Sequence, residues 1–66
     1  MTKFNFQNNL IRERSKRGIS QRELGKMIGL SNGTISKIEN GTRTPDLPLV
    51  EKIASALGVS LEELLF

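Results

Sequence analysis

The chain is 66 residues long, contains neither cysteine nor histidine, and carries a net charge of +3. That length admits one domain, residues 1–66, with a thin core that buries roughly 60% of the surface its unfolded chain exposes. The missing residue types exclude a disulfide framework, a thiolate or imidazole metal site, and the commonest general base.

No apolar run approaches the ~18 residues of a membrane span, and the N-terminus lacks the apolar centre of a signal peptide. A soluble, cytoplasmic protein without membrane contact is expected. The charge is unevenly placed. Residues 1–43 hold nine Lys/Arg against three Glu, a net +6, while residues 44–66 hold one Lys against four acids, a net −3. A basic front on so small a domain suggests a polyanionic partner such as nucleic acid.

Helix 1 is predicted from about Phe4 to Arg17, with Phe6, Leu10 and Ile11 facing inward. Its basic end, Arg14, Lys16 and Arg17, suits the negative pole of the helix dipole. The stretch "GISQREL" follows, Gly18 to Leu24. The same arrangement returns as "GLSNGTI" from Gly29 and as "GVSLEEL" from Gly58. In each, Gly can end one helix in the left-handed conformation and Ser can cap the next. Glu23 and Glu63 stand three residues after their Ser, the spacing of a capping box. The aliphatic residue before each Ser is spaced to staple onto one five residues later: Ile19 on Leu24, Leu30 on Ile35, Val59 on Leu64.

Helix 2 is predicted over Gln21–Ile28 with Leu24, Met27 and Ile28 inward, and helix 3 from Asn32 to Glu39 or Asn40 with Ile35 and Ile38 inward. Asn32-Gly33 is a strong hairpin dipeptide elsewhere. Here it follows a Ser cap and has no strand on either side. Both residues therefore fall in the first helical turn, where weak helix formers are tolerated. "GTRTP" is a loop. Asp46 caps helix 4, which runs to Leu57, holds Pro48 in its first turn and buries Val50, Ile53, Ala54 and Leu57. Helix 5 covers Leu61–Leu65. No stretch alternates with period two, so the fold class is all-α.

Helix 2, the short "GLS" link and helix 3 form a helix-turn-helix candidate, motif about 21–40. The outer face of helix 3 carries Asn32, Gly33, Ser36, Lys37 and Asn40, groups that can address base edges or phosphates. At this point the sequence resembles a family. "ISQRELGKMIGLSNGTISKIENGTRTP" followed by "LVEKIASALGVSLEELL" is similar to the lambda-repressor/Cro-like helix-turn-helix proteins, the xenobiotic-response-element class of bacterial and phage regulators. The resemblance runs from about Leu10 to Leu65 and rests on several weak motifs in one order.

The resemblance implies a five-helix lambda-repressor-like domain acting as a transcriptional repressor on double-stranded DNA. It implies that Gln21 meets a phosphate and braces helix 3. Ser31, Asn32, Gly33 and Lys37 would face bases, with Ser36 beside them. Asn40, Thr42 and Arg43 would hold the backbone. Arg14 and Glu39 match a family pair that forms an ion pair; their plainer alternative is two solvated charges. Gly25 stands where the family prefers Ala, and Gly33 where relatives place a base-contacting side chain. An N-terminal arm including Lys3 could then share in the specificity. Thr34 stands where the other two junctions carry Glu, and a carboxylate there would meet DNA phosphates. A homodimer on a two-fold operator is implied, with half-sites ~34 Å apart. Its surface is expected on Leu61, Leu64, Leu65 and Phe66.

The rival from a different class is an antitoxin-type protein-interaction module that also binds its own operator. A controller protein of a restriction–modification system is a subtype of the first reading. No enzyme, cofactor or small-molecule ligand is suggested: Glu62 and Glu63 point about 100° apart, and no phosphate-cradling Gly-rich loop is present. RNA binding lacks a stacking platform, since the chain has no Tyr or Trp.

Overall fold

The computed structural model describes residues 5–66. It holds five helices: α1 Phe6–Lys16, α2 Gln21–Ile28, α3 Asn32–Glu39, α4 Leu47–Leu57 and α5 Leu61–Leu65. No strand occurs among the described residues. The expected helix start at Phe4 lies outside them. Within them α1 begins two residues later, at Phe6, and ends one residue early, at Lys16.

The three junctions fold alike because each is closed by its own atoms. Gly18, Gly29 and Gly58 all take positive φ, between 65° and 78°. The next residue's N–H then reaches back five positions: Ile19 to the Arg14 carbonyl at 3.1 Å, Leu30 to Gly25 at 2.8 Å, Val59 to Ala54 at 3.0 Å. This is the Schellman closure, which satisfies carbonyls orphaned at a helix end. Ser20, Ser31 and Ser60 each accept the N–H three residues on, at 3.0, 3.1 and 3.0 Å. The two capping boxes are complete. Glu23 accepts from the Ser20 N–H at 2.8 Å and Glu63 from the Ser60 N–H at 2.9 Å. Asp46 caps α4 by accepting from the Leu49 N–H at 3.1 Å.

Leu10, Leu24, Ile35, Ile38, Ile53 and Leu64 are fully buried at the centre, with Phe6, Val50, Ala54 and Leu57 around them. Ile19, Leu30 and Val59, the residues before each cap, pack against this cluster. Every helix contributes at least one residue to this single cluster.

Two inward expectations and one surface expectation fail. Ile11 is 39% exposed and Met27 is 52% exposed. The inward stripe of α1 is Phe6, Asn9, Leu10 and Glu13, so two of its positions are polar and Ile11 lies about 100° round the helix from Leu10. On α2 the buried residues are Leu24 and Gly25, which turns Met27 away. Leu64, expected at a dimer surface, has no exposed area at all: it is core, and offers nothing to a partner. Asn9 is buried because it has work there: its Nδ2 donates to the Leu64 carbonyl at 3.0 Å. The Asn5 N–H donates to the Leu65 carbonyl, also at 3.0 Å. Together they tie the start of α1 to the end of α5.

Candidate nucleic-acid interface

The position of α3 is set from both ends. At its start, Gly25 brings α2 against the turn so closely that a Cβ there would run into the Leu30 carbonyl oxygen. At its end, Glu39 is held in a three-way bond. Arg14 Nε donates to Glu39 Oε2 at 2.6 Å and Arg14 Nη2 to Oε1 at 3.0 Å. Gln21 Nε2 donates to the same Oε1 at 2.9 Å, and Arg14 Nη1 donates to the Ile19 carbonyl at 2.9 Å. The side chains are 15% and 6% exposed for Arg14 and Glu39. The solvated alternative is therefore wrong for this pair. One bidentate bridge joins α1, the first junction, α2 and α3.

That frame leaves one row of α3 and its following loop open. Ser31, Asn32, Gly33, Lys37, Asn40, Thr42 and Arg43 are exposed, while Gln21, Thr34 and Ser36 are half-buried. The loop is folded onto α3 rather than loose. Asn40 Oδ1 accepts from the Thr42 N–H at 2.9 Å, and the Arg43 N–H donates to the Lys37 carbonyl at 3.1 Å. Arg43 is thereby set beside the end of α3. Among the described residues, neither Lys37 nor Arg43 takes part in an ion pair. Both are available to a polyanion.

Thr34 answers the question of the missing Glu in this junction. Its Oγ1 lies 2.9 Å from Ser31 Oγ, so two hydroxyls replace the carboxylate of the capping boxes. The first turn of α3 contains no acid. Where the carboxylates are present they are stabilised as anions. Glu23 and Glu63 are held below the ordinary value of 4.5 by the backbone N–H and hydroxyl of Ser20 and Ser60. Glu13 is likewise held low, chiefly by its bond to Arg17, whose Nη1 donates to Glu13 Oε1 at 2.6 Å. Glu13 has no signature as an inward residue, since the pattern of apolar spacing ignores a buried carboxylate.

The expected arm at Lys3 lies outside the described residues. At the C-terminal end, Leu61 and Leu65 are half-buried and Phe66 is 58% exposed. Beside Leu65 is a hollow of about 250 Å³ lined by Phe6, Gln7, Arg43, Thr44, Pro45 and Val50. Phe6 and Val50 line it from the core, where both were expected and where both are buried. Among the described residues, no helix is long and apolar enough to cross a membrane.

Comparison with known proteins agrees with this geometry. A family model described as helix-turn-helix matches residues 10–64. A helix-turn-helix-type transcriptional regulator of Methanocaldococcus jannaschii is 38% identical over 59 residues, covering 89% of each chain. The phage transcriptional repressor RstR of Vibrio cholerae is 39% identical over 51 residues, 77% of this chain and 46% of its own. Among solved structures, the restriction–modification controller protein C.AhdI of Aeromonas hydrophila superposes with a TM-score of 0.85 at 32% identity, over 89% of both chains. The P22 c2 repressor, solved with a synthetic operator, superposes at 0.82 with 33% identity over 91% of both. The chain belongs to the helix-turn-helix family of Cro/C1-type transcriptional regulators.

Proposed function

We propose that this protein is a sequence-specific repressor that binds a two-fold operator as a homodimer, with α3 in the major groove. The observation that carries the proposal is the open polar row of α3, held rigid by Gly25 at one end and the Arg14–Glu39–Gln21 bridge at the other. A helix that reads base edges must be held to within a fraction of an ångström, and this one is bonded to α1 and α2.

On this reading Ser31, Asn32 and Lys37 address bases. Lys37 suits the acceptors of guanine, and Asn32 the edge of adenine. Gln21 spends one amide hydrogen on Glu39 and keeps the second for a phosphate. Asn40, Thr42 and Arg43 track the backbone, and Ser36 lies between the two groups. Thr34 keeps a carboxylate away from the phosphates. Leu61, Leu65 and Phe66 form the dimer contact.

The test is selection of bound duplexes from a random pool, with the salt dependence of binding to the winner. The expected result is a palindrome with half-sites about one helical turn apart. Arg43→Ala should weaken binding evenly across sequences and reduce the salt slope by roughly one, whereas Lys37→Ala should relax one column of the site. A pool that enriches no sequence would overturn the proposal.

A further inference from the structure

Of the six glycines in the chain, five have a reason within the fold. Gly18, Gly29, Gly41 and Gly58 lie at positive φ, where a Cβ is strained. Gly25 is helical, but a Cβ would strike the Leu30 carbonyl. Gly33 has neither reason. Its φ is not positive, and a Cβ built on it meets nothing nearer than Ser31 Oγ at 3.9 Å, an ordinary contact.

Gly33 lies in the first turn of α3, where a weak helix former is tolerated but no contact of the fold requires one. It is exposed, and it lies four residues before Lys37 on the same face. The fold would accept a side chain there. The missing volume therefore faces whatever α3 faces.

We infer that Gly33 is a specificity determinant, an inference resting on the DNA-binding reading above. The bare backbone lets the first turn of α3 come into van der Waals contact with the C5-methyl of a thymine, the apolar feature of the major groove. Gly33 offers no polar side chain, so close packing is the chemistry this position can supply. A Cβ at this position would take up the space that the methyl fills.

The experiment crosses protein with DNA. Wild type and Gly33→Ala are titrated with the duplex selected by wild type, and with duplexes in which each dT of the site is replaced in turn by dU, which lacks only the methyl. At one position, dU should weaken wild type roughly fourfold, the worth of one buried methyl. Gly33→Ala should bind the dT duplex several-fold more weakly than wild type and recover part of that loss on dU at the same position. Its melting temperature should hold or rise, so the loss is not one of folding. If Gly33→Ala binds the dT duplex as tightly as wild type, the inference is overturned. It is equally overturned if the loss is the same on dT and dU at every position. A wild-type protein that selects no duplex removes the DNA-binding reading itself, and so is told apart from a failure at Gly33.

Discussion

Glu39 is the residue on which α3 depends most. A carboxylate with a side chain only 6% exposed loses most of its hydration. It persists because three donor atoms replace that water: Nε and Nη2 of Arg14 and Nε2 of Gln21. Removing one partner strands the other, and stranded buried charges cost far more than the pair contributes. Arg14→Met should therefore lower stability by about 3 kcal/mol, and Glu39→Leu by a similar amount, with the double variant recovering much of the loss. Urea denaturation of the four proteins measures the cycle. Strict additivity would mean that the bridge is two independent surface charges. The sequence offered both readings of this pair because its members are 25 residues apart, and no local pattern tells whether they meet. Asn9 and Glu13 were missed for a related reason. An apolar stripe is searched for apolar residues, and these two polar ones occupy its inward positions through bonds to the Leu64 carbonyl and to Arg17.

At the scale of elements the sequence was far more legible. Each junction closes through bonds spanning at most five residues, so Gly, aliphatic, Ser and Glu at fixed offsets dictate the geometry without help from the rest of the chain. The four later helices match their expected ranges for this reason. Met27 and Ile11 escaped because which face turns inward is decided between helices, not within one. The capping boxes also set a pH dependence. The folded state holds Glu23 and Glu63 below their ordinary value of 4.5 by hydrogen bonds from Ser20 and Ser60. The unfolded chain then binds protons more readily than the folded one, so this stabilisation is full above that value and lost as pH falls through the lowered folded values. Glu23→Gln and Glu63→Gln keep an acceptor for the cap but cannot titrate. The double variant should melt less steeply with falling pH below about 4.5 than wild type, and match its slope at neutral pH, where neither protein titrates at these sites. A thermal melt series from pH 7 to pH 3 checks this. Identical acid limbs in the two proteins would assign the acid sensitivity elsewhere, first to Glu13.

For the whole molecule, the question is what the α5 side meets. Its residues separate cleanly. Leu64 has no exposed area, Leu61 and Leu65 are half-buried, and Phe66 is 58% exposed. The carbonyls of Leu64 and Leu65 are bonded to Asn9 and Asn5, so this end of α5 is held to α1 before any partner arrives. A surface already ordered loses little entropy on association, which favours a second copy docking there. The chain's net +6 over residues 1–43 and −3 over 44–66 points the same way: self-repulsion between copies is weakest where the acidic part is presented, leaving the basic part for the polyanion. Wild type should sediment as a dimer at micromolar concentration. Phe66→Ala should shift the protein toward monomer with little change in the melting temperature of dilute protein, while Leu65→Ala should shift it likewise but also lower that temperature, because Leu65 packs against the core. Leu64→Ala should do the opposite, costing about 2–5 kcal/mol of stability through a core cavity whether or not the protein is dimeric. Sedimentation separates the two kinds of residue. A wild type that is monomeric at these concentrations would remove the dimer, and a Phe66→Ala variant that stays fully dimeric would move the contact off this face.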